Sequence, residues 1–219
     1  MKEKFMQGNP KGGVTIPLAI PDSVGNLHLP DPDLVTYYRN LDKRIIWIDD
    51  VIDEGCLEYS RLILQWNAED KENNVPVEER KAIKLFFFSP GGALNVYENL
   101  AEIISKSKTK VIGVNMGMAA SAACMIFLAC HERFTLSNAS FLIHKGSMSG
   151  LSGSADEIMA AVADYGRQLI QMQEKIKSRT RITDEDFEKN MHPDWYLNSQ
   201  EALRYGVCDK IVEDLDDIL

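Results

Sequence analysis

The chain changes from a strand to a helix at Gly117-Met118-Ala119-Ala120-Ser121-Ala122-Ala123. The apolar run 110–114 predicts the strand, and the small residues of 118–130 predict the helix. A serine at the start of a helix can hold its hydroxyl near the positive end of the helix dipole, where developing negative charge is favoured. The amide of Ala122 has no acceptor within the helix, so it can serve as one donor of an oxyanion hole. The segment therefore makes Ser121 a candidate nucleophile; close packing of small residues is the alternative interpretation of the same pattern.

Alternating strands and helices extend outward from this segment. Further strands are predicted at 44–48, 83–88, 134–136 and 141–143, and helices at 53–66 and 94–104. The polar stretch 70–80 is predicted to be an exposed loop. Strands and helices at these spacings are typical of crossover units around a mainly parallel sheet with both faces covered. We therefore predict an α/β fold.

A long helix is predicted at 155–179, after a segment rich in glycine and serine at 145–153. The apolar residues of this helix fall on one stripe: Ile158, Val162, Tyr165, Leu169, Met172 and Ile176. Because the helix follows the strands of the sheet, it can project from the core and pack on its own subunit or on a neighbouring one. Thr183 is predicted to cap another short helix.

Paired glycines follow the strand at 83–88, in Ser89-Pro90-Gly91-Gly92. Glycine adopts backbone conformations that other residues resist, and it allows a ligand to approach the main-chain amides closely. The amide of Gly92 is therefore a candidate second donor of the oxyanion hole, and the segment is a candidate for pairing with an extended peptide. A plain turn between strand and helix is the alternative.

Four histidines could act as a general base: His28, His131, His144 and His192. Histidine is the side chain best suited to take a proton from serine at neutral pH. His144 is the leading candidate because it directly follows the strand 141–143, and open parallel sheets place their chemistry at strand ends. A structural histidine is the alternative interpretation. No pattern selects an acidic partner, for which the candidates are Asp156, Asp164, Asp184, Asp186 and Asp194.

Composition narrows the classes of function. The net charge is −9, from 24 basic and 33 acidic residues, and no basic cluster interrupts it, so we expect no nucleic-acid partner and no membrane partner. The four cysteines form no CxxC pair and no metal-ligand spacing, which favours reduced thiols, a cytoplasmic location and no metal site. No signal peptide, membrane span or GxxxxGK[ST] phosphate-binding loop is apparent. We also expect no cofactor.

Proline and glycine divide the chain into regions. Residues 1–32 contain five of the eight prolines and four glycines, a density that prevents long helices and central strands. We therefore predict an irregular N-terminal arm at 1–36, one folded domain at 37–213 and an acidic C-terminal tail at 214–219.

Five segments, taken in order, resemble the ClpP family of peptidases. They are Arg44 to Ile48, Ser89-Pro90-Gly91-Gly92, Gly117-Met118-Ala119-Ala120-Ser121, Phe141-Leu142-Ile143-His144, and the run from Asp194 to Asp209. The likeness spans residues 37–213, most of the chain. It implies the ClpP/crotonase-like fold, a spiral of βαβ units from which the helix at 155–179 protrudes as a handle.

The resemblance also implies roles for individual residues. The implied catalytic triad is Ser121, His144 and Asp194. The implied oxyanion hole consists of the amides of Gly92 and Ala122. The implied substrate-binding residues are Gly91, Lys145 and Gly146. The implied activity is endopeptidase cleavage of unfolded polypeptides through an acyl-enzyme. Family members stack two heptameric rings around a closed chamber that an AAA+ unfoldase feeds, so a homo-oligomer and an unfoldase partner are implied as well.

The chain departs from the family pattern at several positions. Lys145-Gly146 replaces the usual Gln-Pro after the histidine, and Pro193 replaces an arginine that is used between rings. The loop at 70–80 is longer than usual, and the arm is unlike the family's axial hairpin. A phage-type protease that matures capsids without an unfoldase is therefore an alternative function. A crotonase-type acyl-CoA enzyme is a second alternative because it shares the fold, and a ring subunit without activity is a third.

Overall fold

The computed structural model describes residues 32–146, 151–190 and 194–218. By its contacts the chain forms two compact units, residues 1–37 and 38–219. Of the first unit, residues 32–37 are described, and they begin the helix α1 (Pro32–Asp42). The predicted irregular arm thus lies largely outside the described residues. Its described end, 32–36, is helical instead, because proline is well tolerated at the first position of a helix.

Seven strands and six further helices follow in the described part of the second unit. The strands are β1 (Ile45–Ile48), β2 (Ile83–Ser89), β3 (Val111–Ala120), β4 (Glu132–Thr135), β5 (Ser140–His144), β6 (Asp194–Asn198) and β7 (Lys210–Ile211). The helices are α2 (Leu57–Glu72), α3 (Leu94–Lys106), α4 (Ala122–Ala129), α5 (Ala155–Arg179), α6 (Asp184–Asn190) and α7 (Ser199–Tyr205). Short 3₁₀ turns lie at Glu54–Cys56, Val77–Glu79 and Leu215–Asp217.

One mainly parallel sheet organises these elements. The strand order is β1-β2-β3-β4-β7, with all neighbours parallel. The long strand β3 pairs with β4 through its first half and with β5 through its second half, and β6 joins β5 in antiparallel orientation. The predicted α/β class with crossover connections is confirmed. The end of β3 therefore lies beside the end of β5.

Helices α2, α3 and α4 cover one face of the sheet. The helix α4 is apolar all round and contacts β2, β3 and β5. Its Phe127 lies between two strand residues, with ring centroids 5.5 Å from Phe87 and 5.2 Å from Phe141. Burial of three aromatic rings at this point fixes α4, and hence its first residue, against the strands.

Among the residues that the structure describes, the opposite face of the sheet is covered only in part, which corrects the prediction of two covered faces. Phe86 is buried there with Val114, Val212 and Ile218, the last from the predicted C-terminal tail. Trp47 and Phe88 point to the same side and remain 40% and 54% exposed. Side chains alternate between the faces of a strand, so the apolar run in β2 presents every second residue to this open side.

The predicted loop at 70–80 is partly wrong, because α2 continues to Glu72 and Asp70 is buried. The Asp70 carboxylate accepts two hydrogen bonds of 2.7 Å from the Arg44 guanidinium and one of 2.8 Å from the Thr109 hydroxyl. These hydrogen bonds, with the Arg44 charge, lower the pKa of Asp70. A carboxylate with this many donors can be buried, and a polar sequence alone does not reveal such partners.

Two other boundaries show where the helix predictions succeed and fail. The long helix at 155–179 is confirmed, and the Thr183 hydroxyl accepts a bond from the Asp186 amide, as expected of a cap. The segment 118–120, predicted to be the start of a helix, is strand instead, because it pairs with β5. Across 32–146, 151–190 and 194–218, the helices are too short or too polar for any to traverse a bilayer.

Candidate active site

Ser121 occupies the sharp turn between β3 and α4. Its backbone has φ 53° and ψ −123°, a region that costs a residue other than glycine about 1–3 kcal/mol. The conformation is held from both sides: the Ser121 amide donates to the carbonyl of Leu142 at 2.9 Å, and the Met125 amide donates to the Ser121 carbonyl at 3.1 Å. A serine on such a strained turn from strand to helix presents its hydroxyl beyond the sheet.

The His144 side chain meets this hydroxyl. Its Nε2 lies 2.7 Å from the Oγ of Ser121. The pairing of β3 with β5 explains the contact. Ala120 lies opposite Leu142, so Ser121, the residue after β3, and His144, the last residue of β5, share one end of the sheet. At this distance the neutral imidazole can accept the hydroxyl proton.

Asp194 lies on the other side of the imidazole. The antiparallel register of β5 and β6 places it directly opposite His144, and its Oδ1 is 3.3 Å from Nδ1. A carboxylate at Nδ1 favours the tautomer that carries its proton there and leaves Nε2 free to accept one. Three neighbouring strands thus bring together the three side chains that the family resemblance singled out.

The remaining histidine and aspartate candidates lie elsewhere or outside the described residues. The Nδ1 of His131 accepts a bond from the Val111 amide at 3.0 Å, and burial is the main cause that lowers its pKa. Asp164, Asp184 and Asp186 bind Arg167, Lys177 and Thr183 respectively, and Asp156 belongs to the first turn of α5. His28 and His192 lie outside the described residues.

Gly91 and Gly92 pass close to the turn that holds Ser121. The Ile52 amide donates to the Gly91 carbonyl at 2.8 Å, and the Ala93 amide donates to the Ile52 carbonyl at 2.7 Å. These two hydrogen bonds form a parallel bridge between Ile52 and Gly92 in which the Gly92 amide takes no part. Gly91 has φ 94°, and a Cβ on it would come within 2.9 Å of the Ala122 nitrogen. The amides of Gly92 and of Ala122, the first residue of α4, are therefore both candidates for an oxyanion hole.

A cavity of about 390 Å³ opens beside Ser121 and His144. Apolar side chains from α3, α4 and α5 form much of its lining, among them Leu94, Tyr97, Met125, Leu169 and Met172. The predicted substrate residues Lys145 and Gly146 also border it. Sequence reasoning missed that this cavity exists, although the apolar stripe on the long helix already contained Leu169 and Met172. The cavity can receive an apolar side chain next to the hydroxyl of Ser121.

Tyr97 carries a buried hydroxyl that has no hydrogen-bond partner among the described residues. Burial raises the pKa of Tyr97, so the phenol is neutral. We expect Tyr97→Phe to raise the free energy of unfolding by about 1 kcal/mol, because it removes an unsatisfied polar atom and keeps the ring. Urea denaturation measures the change. A loss of stability would show instead that the hydroxyl is hydrogen-bonded in solution.

Across residues 32–146, 151–190 and 194–218, no group of three or more His, Cys, Asp or Glu side chains is arranged to hold a metal ion.

The chain is similar to known proteases over most of its length. A family model described as Clp protease matches residues 33–215. ATP-dependent Clp protease proteolytic subunit 2 of Treponema denticola is 31% identical over 140 residues, which are 63% of this chain and 70% of that protein. The protein of the same name from Pseudomonas aeruginosa is 32% identical over 136 residues, 59% of this chain and 65% of its own.

A solved structure is similar as well. A mutant of ClpP1 from Listeria monocytogenes superposes with a TM-score of 0.69 at 24% identity and covers 83% of this chain and 98% of its own. At this identity the likeness supports the fold, which is that of the ClpP structure.

Proposed function

The chain belongs to the Clp protease family, and on this premise we propose that it is a serine endopeptidase with Ser121 as nucleophile, His144 as general base and Asp194 as the residue that orients the imidazole. The observation that carries the proposal is the 2.7 Å contact between Nε2 of His144 and Oγ of Ser121, beside an apolar cavity. Asp194 at Nδ1 supports the same assignment.

The proposed reaction proceeds through an acyl-enzyme. The Oγ of Ser121 attacks the scissile carbonyl carbon while Nε2 of His144 accepts its proton, and the amides of Gly92 and Ala122 donate to the resulting oxyanion. The C–N bond then breaks, and the imidazolium gives its proton to the leaving amine. A water molecule that His144 deprotonates hydrolyses the ester, which releases the carboxylic product and returns the proton to Ser121.

The cavity also favours a class of substrate. Its apolar lining fits a polypeptide with an apolar side chain before the scissile bond. An acyl-CoA enzyme of the crotonase type would need carboxylate groups for acid–base chemistry, and none of the described residues that line the cavity is Asp or Glu. The peptidase function is therefore favoured over the acyl-CoA alternative.

A fluorophosphonate probe tests the proposal directly. We expect the probe to label the native chain on Ser121, and mass spectrometry of its peptides would locate the label. We also expect the native chain to hydrolyse a fluorogenic peptide with leucine before the scissile bond. Titration with acetyl-CoA in parallel should show no binding at micromolar concentration. An adduct on a different serine, or acetyl-CoA binding without labelling, would overturn the assignment.

The long helix supports a second part of the proposal, that the chain assembles with copies of itself in a ring. Of the apolar residues on α5, Met172 and Ile176 are buried, whereas Met159 and Ile170 are 70% and 60% exposed. Apolar residues that stay exposed along one helix favour a protein partner. A second copy of the chain would cover them, as the family resemblance implies.

Ile170→Glu should therefore reduce assembly. A carboxylate in an apolar interface would be desolvated without a partner, so we expect the apparent mass from light scattering to fall to that of smaller species. The neighbouring exposed residue Gln171 provides the matched control, since Gln171→Glu adds the same charge beside this position. Equal masses for the native protein and Ile170→Glu would contradict the proposed interface.

An ATP-driven unfoldase is the proposed partner of such a ring. The curated relatives are named ATP-dependent, and this chain carries no GxxxxGK[ST] motif of its own. If the proposal holds, adding an AAA+ unfoldase and ATP will allow the protein to degrade a folded substrate. Cleavage of a structural phage precursor without any unfoldase would favour the capsid-maturation alternative.

A further inference from the structure

Tyr165 on α5 reaches back to the chain segment that follows His144. Its hydroxyl donates a 2.7 Å hydrogen bond to the carbonyl of Lys145. Burial raises the pKa of Tyr165, so the group is a protonated donor. The next residue, Gly146, has φ 75°, and a Cβ on it would lie 2.9 Å from the Tyr165 hydroxyl oxygen. The helix thus contacts the backbone at Lys145 and leaves no room for a side chain at Gly146.

This contact lies directly beyond the end of the sheet. The ladder between β5 and β6 ends at the pair His144–Asp194. Lys145 is the first residue beyond that pair, where the sheet no longer holds the backbone. A hydrogen bond to its carbonyl constrains the main chain directly after His144. Small displacements of a catalytic side chain reduce rate strongly, so the end of β5 needs such a constraint.

We propose that Tyr165 is a positioning residue: through the Lys145 carbonyl it holds the end of β5 so that the His144 imidazole stays in contact with Ser121. This inference rests on the proposed peptidase function. Tyr165 touches neither Oγ nor the imidazole in the described contacts, so its effect on the reaction passes through the backbone. It also borders the cavity beside the site.

If Tyr165 only stabilised the fold, loss of its hydroxyl would lower the stability of the protein rather than its turnover. The helix α5 is anchored to the core by Met172 and Ile176, which are buried, whereas Tyr165 is partly exposed. Loss of the hydroxyl should therefore leave the fold intact. Under the positioning role, the turnover falls while the cavity still binds substrate.

Tyr165→Phe separates the two roles because it removes the hydroxyl and keeps the ring. We expect kcat for peptide hydrolysis to fall about tenfold, because a slightly displaced imidazole accepts the serine proton less well, with KM within about twofold of the native value. The rate of fluorophosphonate labelling should fall by the same factor, and the melting temperature should stay unchanged. Tyr59→Phe, at a partly buried tyrosine on α2, is the matched control and should alter none of these.

A second variant approaches the same contact from the backbone. In Gly146→Ala the new methyl group would press on the Tyr165 hydroxyl oxygen, which phenylalanine lacks. We expect Gly146→Ala to lower kcat and the double variant with Tyr165→Phe to lose less than the product of the two single losses.

Three outcomes would overturn the inference. The first is a kcat and a labelling rate for Tyr165→Phe within twofold of the native values, while the native chain is labelled on Ser121. The second is a pair of losses that simply multiply in the double variant. The third is absence of labelling in the native chain, which would refute the proposed function and this inference with it.

Discussion

Ser121→Ala should lower kcat for peptide hydrolysis by a factor of about 10⁴ to 10⁶. The change removes one oxygen atom, whose described hydrogen bond is the 2.7 Å contact with His144. Without it no acyl-enzyme can form, and the residual rate comes from the oxyanion donors and substrate binding alone. The backbone of Ser121 is held by its own amide and carbonyl, so we expect the fold and any assembly to persist.

Two controls make this result specific. His144→Ala should cause a loss of similar size, and Ser121→Ala with His144→Ala should be no slower than either single variant, because the two residues act as one unit. Ser140→Ala, at a serine on β5 whose hydroxyl faces the Gly117 carbonyl, should keep most of the activity. Native-like hydrolysis by purified Ser121→Ala would end the assignment of the nucleophile.

The sequence predicts the strands and helices that carry this site better than it predicts which distant residues complete the site. Apolar runs and small residues are local signals, so the alternation of strands and helices and the long helix at 155–179 could be predicted from the residues. The position of His144 at a strand end was also local information. Asp194 was not: five aspartates were equally plausible until the family resemblance selected one. Its place depends on the register between β5 and β6, strands 50 residues apart.

The other features that sequence reasoning missed share this cause. Asp70 is buried because Arg44 and Thr109 provide its partners, and residues 118–120 are strand because they pair with β5. Tertiary pairing overrides the local preference of small residues for a helix. The contact of Tyr165 with Lys145 likewise joins positions that no periodic pattern relates. Each of these contacts depends on the tertiary structure and not on the local sequence.

Gly91→Ala should have the largest effect on activity outside the three proposed catalytic residues, a fall in kcat of about 10² to 10³, the range for loss of one oxyanion donor. The added Cβ would lie 2.6 Å from the Ala120 carbonyl oxygen, 2.7 Å from the Ser121 Cβ and 2.9 Å from the Ala122 nitrogen. None of these atoms belongs to a flexible side chain, so the turn that carries Ser121 must shift. The φ of 94° adds backbone strain.

Gly166→Ala makes the same chemical change where the structure has room for it. A Cβ there would meet nothing within 4 Å, and alanine in a helix is favoured over glycine by about 1 kcal/mol, so stability should rise and the labelling rate of Ser121 should not change. The labelling rate of each variant is measured with the fluorophosphonate probe in reactions stopped at timed intervals, and its stability is measured by urea denaturation. If Gly91→Ala lowers stability but retains the native labelling rate, then the glycine serves only to fold the turn. The amides beside Ser121 would in that case not depend on the close approach of Gly91, and the proposed oxyanion hole would lose its main structural support.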